Sequence, residues 1–366
     1  MISMALFVVL ATFDGLKSFN LSFIQHFDPD IKISPKQGKS FIFNDSLAQV
    51  LNSENAIASY SKTLEERAYF SYRNKKKLAN IKGVDSLFSK TIALDSTVYI
   101  GSWFSTKTTH TVVGSAIANA LGIGINDFRA SLDVYMPKAG KGQISNPANA
   151  FTKEITVPVG VFNINPEIDS KYVFANLPLV QRLLRYKKNQ ISAIEIKLKK
   201  NANSLEVKKQ LQQALGNQYK VQTRMELNSA LYKMLNSENL FIYAIAVLVL
   251  IVALFNVVGS IMMLILEKKN NLKTLNHIGL PMLKIRNIFL LQGVLLTIFG
   301  GLFGILLGII TVFLQKKYSL VMITSYLPYP VEFHIKNVVI VFFTLAILGF
   351  IASKIASSIL NEKYFN

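Results

Sequence analysis

The chain has 366 residues, of which 51% are hydrophobic and none is cysteine, and its formal net charge is +19 at pH 7. A chain without cysteine excludes a disulfide-stabilised scaffold and thiolate metal sites. The charge is compatible with a nucleic-acid-binding protein or with the lysine- and asparagine-rich usage of an AT-rich genome; because the basic residues are spread along the chain, the second interpretation is favoured and no nucleic acid is expected as a partner.

The first 27 residues are apolar at the start and amphipathic later. Met1 to Phe13 is too short to cross a bilayer, and it lacks the basic start and small-residue cleavage site of a signal peptide. Residues 14–27 continue with helical spacing of apolar side chains, which predicts a stalk that leaves the membrane. Two interpretations stay open for the apolar part: a buried or interfacial helix, or the second half of a span.

Residues 28–237 carry regularly spaced charges, which predicts a water-facing domain. The helix Ser204–Leu215, with Ser204 as its predicted cap and Gly216 at its end, stands between the strands Ile191–Leu198 and Tyr219–Thr223, so a βαβ unit is expected. Earlier in this domain, Ala48 to Tyr60 is predicted to be a helix, and Ala68–Tyr72 is predicted to be the strand that follows it. The predicted fold class of the domain is α+β.

A β-rich insertion is predicted at about residues 98–176, where short apolar strands alternate with glycine, asparagine and proline. The segment Val113–Asp127 adds a helix with a turn at Gly122–Gly124. A phosphate-binding glycine loop is one interpretation of this turn. It is the weaker one, because no G-x-x-x-x-G-K-[ST] motif occurs. The strands expected here are Thr97–Ile100, Ser131–Met136, Ile155–Phe162 and Tyr172–Ala175.

Three long apolar runs occupy the last third of the chain, at residues 238–267, 285–314 and 338–360. Each is long enough to cross the hydrocarbon core of a bilayer. Backbone groups in lipid must pair within the segment, so each run is predicted to be a transmembrane helix.

Lysines indicate how these spans are oriented. The connection 268–284 carries four lysines, which predicts a cytoplasmic segment under the positive-inside rule. The domain 28–237 and the loop 315–337 then lie on the opposite side of the membrane, and the tail 361–366 is cytoplasmic.

No constellation of residues in the sequence indicates covalent catalysis, and the four histidines are too far apart for metal-ligand spacing. Asn256 lies deep in an apolar span, where it is either a residue that bonds across helices or part of a substrate cavity. Gly300, Gly304 and Gly308 have the four-residue spacing that allows helices to approach closely.

Several segments together carry a family resemblance. Gly114 to Asp127 leads into the strand Ser131–Met136, and residues 271–280 (NLKTLNHIGL) precede 285–293 (IRNIFLLQG). The second span contributes Phe255, Asn256, Val258, Met262 and Met263. With these pieces the chain resembles the permease subunits of ABC transporters of the FtsX/MacB superfamily. Residues 157–184 (VPVGVFNINPEIDSKYVFANLPLVQRLL) resemble the lipoprotein-releasing LolC/LolE family specifically, whereas Asn271 and Asn276 depart from the family pattern.

The resemblance implies a four-span α-helical membrane domain with a large α+β periplasmic domain of the MacB type. Residues 1–27 resemble the end of the family's first span and its stalk, so the first span is expected to be only partly present and the N-terminus truncated. The implied location is the inner membrane of a Gram-negative bacterium.

The resemblance also implies the function: a non-catalytic subunit that releases lipoproteins by mechanical transmission. The implied partners are a cytoplasmic ABC ATPase dimer that binds ATP and Mg, a second permease copy or homologue, a periplasmic lipoprotein carrier, lipoprotein substrates and membrane lipid. Two alternatives remain: another FtsX/MacB-type permease, working in efflux or in regulation of cell-wall hydrolases, or a membrane-anchored scaffold without an ATPase.

Two sites for partners are expected. Apolar residues at helical spacing in 268–284 are either an ATPase-docking stripe or an interfacial helix on lipid headgroups, and the resemblance favours docking. This coupling set is Leu272, Leu275, His277, Ile278 and Leu280. The polar segment 140–153 is either a carrier-binding hairpin or an ordinary one. Its residues are Asn146, Pro147 and Ala148 at the tip, with Arg182 and Arg185 as basic contacts.

A cavity for lipoprotein acyl chains between the first two spans is also implied by the resemblance. Methionine and aromatic side chains suit flexible acyl chains, although plain packing or lipid-facing roles remain open for each residue. The candidate cavity residues are Met4, Phe7, Leu10, Phe255, Asn256, Met262 and Met263.

Overall fold

The computed structural model describes residues 2–92, 97–105, 109–125, 127, 130–138, 150–324 and 327–358, and the side chains of 22–26 are outside the description. The chain divides into two compact units: Met1–Leu21 with Ala230–Asn366, and Ser22–Ser229. The helices are α1 (Ile2–Phe27), α2 (Asp45–Ser53), α3 (Phe88–Thr91), α4 (Ser115–Leu121), α5 (Pro166–Lys171), α6 (Leu177–Leu184), α7 (Ser204–Leu215), α8 (Arg224–Leu227), α9 (Ser229–Glu267), α10 (Lys269–His277), α11 (Met282–Tyr318) and α12 (Ile335–Ser358).

The strands belong mainly to Ser22–Ser229, which we call the α+β unit. They are β1 (Ile31–Pro35), β2 (Phe41–Ile42), β3 (Ile57–Tyr72), β4 (Lys75–Val84), β5 (Val98–Gly101), β6 (His110–Gly114), β7 (Leu132–Pro137), β8 (Phe151–Phe162), β9 (Tyr172–Asn176), β10 (Gln190–Ile191), β11 (Ala193–Leu198), β12 (Tyr219–Thr223), β13 (Met322–Thr324) and β14 (Leu327–Pro328).

Ten of the described strands form one mixed sheet with the order β12-β1-β11-β3-β4-β9-β6-β8-β5, and β7 pairs with β3 and β8. The strands of the predicted β-rich insertion therefore join the same sheet as the others. The predicted βαβ unit is present as β11–α7–β12. Both of its strands are antiparallel to β1, which lies between them.

The expected helix up to Tyr60 is wrong, because α2 ends at Ser53 and β3 already begins at Ile57. The sequence hid the start of this strand, since two of its buried positions are polar. Ser61 and Thr63 are both buried, and their hydroxyls donate hydrogen bonds to Asp85 and to the carbonyl oxygen of Ala193. Bonded polar groups can be buried without large cost, so the apolar alternation is lost while the strand is kept.

Two apolar clusters lie on opposite faces of the sheet. Neighbouring residues of β9 show this, because Val173 belongs to one cluster and Phe174 to the other, and side chains alternate across a strand. The cluster with Phe174 is aromatic: its ring lies 5.3 Å from that of Phe162 and 5.5 Å from that of Trp103.

The other unit is a helical bundle. Among the described residues, four helices are long and apolar enough to cross a membrane: Ile2–Leu21, Ser229–Glu267, Met282–Tyr318 and Ile335–Ser358. The three spans predicted in the last third are thus helices, and residues 2–27, which were divided into a partial span and a stalk, form one continuous helix. The predicted fold class, an α-helical membrane domain joined to an α+β domain, is confirmed.

Glycines on α11 allow the bundle helices to approach closely. A Cβ atom at Gly304 would collide with Ser3 and Met4 of α1, and one at Gly308 would lie 2.9 Å from the ring of Phe7. Gly300, the third glycine of the predicted stripe, faces open space. The stripe therefore packs against α1 at two of its three positions.

Candidate functional site

The short helix α10 connects the long helices α9 and α11, and it ends in a well-defined cap. Gly279 has φ +100, which favours glycine because it has no Cβ. The N–H of Leu280 donates to the carbonyl of Leu275, and the N–H of Gly279 to that of Asn276. These two bonds are a Schellman motif, which satisfies the last carbonyls of the helix.

The predicted coupling residues divide between the inside and the outside of the bundle. Leu272 is only 6% exposed and Leu280 packs against the same apolar cluster, which also contains Ile285 and Phe289. Leu275 is 40% and Ile278 78% exposed. His277 is exposed as well. Leu272 therefore fixes α10 to the bundle, and Leu275 with Ile278 forms the free apolar surface.

The predicted carrier-binding tip, Asn146, Pro147 and Ala148, lies outside the described residues. The flanking strands β7 and β8 are antiparallel up to the pair Pro137 and Phe151, and the N–H of Lys138 donates to the carbonyl of Ala150 at 2.9 Å. The two strands therefore stay paired up to the residues that flank this segment.

The two arginines assigned to the same surface have different surroundings. Arg182 is exposed, and its Nε lies 3.2 Å from Oε1 of Glu154 near the start of β8. Arg185 has φ +58 and closes α6 in the left-handed conformation. Arg182 thus lies beside the β8 strand that leads from the candidate hairpin.

The structure does not bring the seven candidate cavity residues together. Phe7 and Leu10 are buried in the bundle core, and Met4 is half-buried beside Gly308. On α9, by contrast, Phe255 and Met263 are 67% and 73% exposed. Within this chain the α1 residues face inward and these α9 residues face outward.

The remaining α9 candidates do not close a cavity either. Met262 is half-buried, and the side chain of Asn256 is exposed. Within the part of the chain that the structure describes, the Asn256 amide bonds to no other helix, so the predicted cross-helix bond is absent in this chain.

A polar cleft that the sequence analysis missed lies between α1, α9 and α12. The Nδ2 atom of Asn337 donates to Asp14 at 2.8 Å, and the Tyr243 hydroxyl lies 2.7 Å from that of Thr344. Asp14 and Asn337 are 323 residues apart, so no local pattern could indicate their pairing. The sequence feature that indicates this cleft is the presence of polar residues beside the apolar runs.

A buried ion pair lies inside the α+β unit. Lys82 Nζ is 2.8 Å from Oε1 of Glu195, and both side chains are almost fully buried. The ammonium also lies 5.3 Å from the ring centre of Phe27 and 5.1 Å from that of Phe88, at distances typical of cation–π contacts.

Carboxyl and phenol groups near this pair respond to burial and to its charges. Burial raises the pKa of Asp28, although a hydrogen bond from Asn228 opposes the shift. Burial also raises the pKa of Tyr172. For Glu65, burial acts to raise the pKa, but the charges of Lys82 and Lys32 together with hydrogen bonds from Asn80 and Tyr172 act the other way, and the pKa is lowered.

A bundle of apolar helices with a short amphipathic connector, together with an α+β domain, defines a multi-pass membrane protein. Residues 243–364 match the family described as FtsX-like permease C-terminal, so this part of the chain is an FtsX-like permease domain.

Two curated relatives support the resemblance. The chain is 30% identical over 171 residues to the lipoprotein-releasing system transmembrane protein LolC of Buchnera aphidicola subsp. Schizaphis graminum, over 46% of this chain and 40% of that protein. It is 24% identical over 208 residues to LolE of Haemophilus influenzae, over 56% of this chain and 49% of that protein. The resemblance to the FtsX/MacB superfamily, close to LolC and LolE, is confirmed, and the matches span less than half the length of either relative.

Two solved structures are similar to part of the chain. The periplasmic region of MacB from Actinobacillus actinomycetemcomitans has a TM-score of 0.40 at 13% identity, over 55% of this chain and 92% of that one. The extracellular domain of the transporter YknZ from Gram-positive bacteria has a TM-score of 0.37 at 10% identity, over 53% and 99%. These similarities are weak, and the α+β class rests on the sheet and helices themselves.

Proposed function

We propose that the chain is the permease subunit of an ATP-driven ABC complex that releases lipoproteins from the inner membrane of a Gram-negative bacterium to a periplasmic carrier. The similarity to LolC and LolE, which are named as proteins of a lipoprotein-releasing system, supports the substrate class. The observation that carries the mechanism is the exposed apolar pair Leu275 and Ile278 on a helix fixed between two spans.

The orientation follows from charge. Lys268, Lys269, Lys273 and Lys284 surround α10, which puts this helix in the cytoplasm under the positive-inside rule. Because α9 crosses the membrane once, the α+β unit is then periplasmic.

The helix α10 is the proposed contact through which ATP hydrolysis drives the permease. A separate ABC ATPase dimer binds and hydrolyses ATP with Mg, and a groove on that partner takes up Leu275 and Ile278 in the helix-in-groove mode. Leu272 is packed in the bundle, so a displacement of α10 is passed to the helices beside it instead of being lost in a loose connection. In this way α10 passes the movement of the ATPase to the membrane helices, and the permease itself catalyses no reaction.

Release needs a recipient on the periplasmic side. The segment between β7 and β8, together with Arg182 beside the start of β8, is the proposed carrier contact. A second permease copy or homologue would complete the route, because Phe255 and Met263 face outward from this chain and could line an acyl-chain cavity only with another subunit.

The test is co-purification with the ATPase. The double variant Leu275→Glu and Ile278→Glu places two charges in the docking surface, and we expect the ATPase to be lost while the permease stays in the membrane. Asn270→Glu is the matched control: it adds a charge to an exposed position of the same helix, and the ATPase should be retained. Undiminished ATPase binding by the double variant would show that α10 is not the coupling helix.

A second candidate is another FtsX/MacB-type permease, in efflux or in regulation of cell-wall hydrolases. The FtsX-like match over residues 243–364 favours it equally, since the match concerns the membrane part alone. Capture of a soluble lipoprotein carrier by the wild-type protein distinguishes the two: carrier binding supports lipoprotein release, and its failure in the intact complex supports the other permeases. If no ATPase co-purifies with the wild type, the chain is a membrane-anchored scaffold.

A further inference from the structure

The cleft between α1, α9 and α12 has the composition of a binding site. Its volume is about 540 Å³, and it lies where the apolar runs of α9 and α12 begin. In a bilayer this level is the boundary between the hydrocarbon core and the headgroups. The residues that line it are Leu10, Asp14, Asn236, Asn239, Leu240, Tyr243, Lys336, Asn337 and Ile340.

The polar groups of the cleft satisfy only part of their hydrogen-bonding capacity with partners in the described part of the chain. Asp14 accepts one hydrogen bond, from Asn337. Within the described part of the chain, Lys336 forms no ion pair and the half-buried amide of Asn239 makes no hydrogen bond. One cation, one carboxylate with spare acceptor capacity and one free amide therefore line the same cleft.

The other walls are apolar. Leu10 is buried and Ile340 half-buried, and Leu240 is 66% exposed at the start of the apolar run of α9. The hydrogen bond between Tyr243 and Thr344 joins α9 and α12. A ligand in this cleft meets charges at one end and has an apolar helix surface beside it, which suits an amphiphile better than a small soluble anion.

We propose that this cleft binds the headgroup of a phospholipid that carries a primary ammonium beside its phosphodiester, of the phosphatidylethanolamine class. Lys336 and the Asn239 amide donate to the phosphate, and Asp14 accepts from the ammonium. Charged pockets between membrane helices can bind lipid headgroups, and a carboxylate beside the cation in this cleft selects a headgroup with its own donor. A choline headgroup has no N–H, so it cannot make the bond to Asp14. The site is independent of the proposed transport function and requires neither ATPase nor carrier.

The test uses the full chain in nanodiscs that contain equal amounts of ethanolamine and choline phospholipids. After transfer to mild detergent, native mass spectrometry identifies the lipids that remain bound. We expect the wild type to retain the ethanolamine lipid about tenfold better, since only its ammonium can donate a hydrogen bond to the Asp14 carboxylate, and hydrogen bonds between charged groups are the stronger ones.

Three variants separate the contributions. Lys336→Gln should reduce retention of both lipids, because the phosphate contact is common to them. Asp14→Asn should remove the preference for ethanolamine while leaving phospholipid bound. Lys316→Gln removes an exposed lysine from the last turn of α11, outside the cleft, and should retain lipid as the wild type does.

Several results would overturn the proposal. Equal retention of the two lipids by the wild type would show that Asp14 selects nothing. An equal loss in Lys336→Gln and Lys316→Gln would assign the effect to net charge. Retention of a peptide-linked acyl chain from the cells, in place of phospholipid, would make the cleft part of the substrate path. The melting temperature of each variant is measured in the same detergent, so that lipid loss is distinguished from unfolding.

Discussion

Lys82 Nζ lies 2.8 Å from Oε1 of Glu195, and their side chains are 4% and 1% exposed, which makes this pair a fully desolvated link between β4 and β11. Two strands separate from each other in the chain are joined here through a polar bond in an otherwise apolar and aromatic interior. The cost of burying two charges is offset only while both partners are present.

Removing one partner of this pair should be strongly destabilising. Lys82→Met leaves Glu195 as a buried carboxylate whose remaining cation, the partly exposed Lys32, lies 3.8 Å away. We expect a loss of about 3 kcal/mol in the free energy of unfolding of the α+β unit, the lower end of the range for breaking a buried ion pair. The fluorescence of Trp103, the one tryptophan of the chain, measures this loss in denaturant, because its ring packs in the aromatic cluster beside Phe88. The double variant Lys82→Met with Glu195→Leu should be less destabilised than the single one. If the loss of stability in the double variant equals the sum of the losses in the two single variants, Lys82 and Glu195 do not stabilise each other.

The pH dependence of stability should show the buried carboxyl of Asp28. Burial raises its pKa above the ordinary value of 3.8, so above that pH the unfolded chain releases the proton while the folded chain still holds it. Asp28 therefore lowers stability progressively as the pH rises from about 3.8 to its folded-state pKa. Asp28→Asn removes this contribution, and its stability relative to wild type should increase with pH across that interval.

Denaturation of Asp28→Asn and of the wild type is followed at several pH values across that interval. If the difference in stability between the two proteins is constant with pH, the buried carboxyl does not hold its proton in the folded state.

The glycines of α11 give a matched pair in the bundle. Gly304→Ala places a methyl group against Ser3 and Met4 of α1, and overpacking of this kind costs about 1–3 kcal/mol. Gly300→Ala meets open space on the same helix and should be neutral or slightly stabilising, because alanine favours the helix. Thermal unfolding in detergent compares the two. Equal effects of the two substitutions would mean that α1 does not pack on Gly304.

The cap of α10 makes a separate prediction about the coupling helix. Gly279→Ala forces a side chain into a backbone with φ +100, which should cost about 1 kcal/mol or more and loosen the last turn of α10. Hydrogen exchange of residues 272–280 should become faster. Gly259→Ala, in open space within α9, serves as the control and should leave this exchange unchanged.

Local sequence patterns were sufficient to predict elements whose buried residues recur at the regular spacing of a helix or a strand. The bounds of α7 and β12 were obtained from apolar spacing and a closing glycine, although the residue that caps α7 is Asn203 and not the predicted Ser204. The spans of the last third were obtained from length and composition alone. β3 was partly missed because the hydroxyls of its buried Ser61 and Thr63 donate hydrogen bonds to Asp85 and to the Ala193 carbonyl, which are distant in the chain and belong to no local pattern.

The sequence also did not predict which side chains of a uniformly apolar helix face the bundle and which face outward. Phe7 and Phe255 are equivalent in the sequence, each within an apolar run, yet one is fully buried and the other 67% exposed. A helix that is apolar on all sides carries no stripe that indicates its packed face. The same limit explains the cleft, since Asp14 and Asn337 are brought together by helix packing alone.

The most direct test of the whole account is ATP-dependent transfer of a lipoprotein from proteoliposomes, which contain the complete complex, to a soluble carrier. The account predicts transfer by the wild type and by Asn270→Glu, and at least a tenfold lower rate when Leu275 and Ile278 are both changed to glutamate, since the docking surface is then charged. Transfer at the wild-type rate by the double variant, or transfer that does not require ATP, would contradict it.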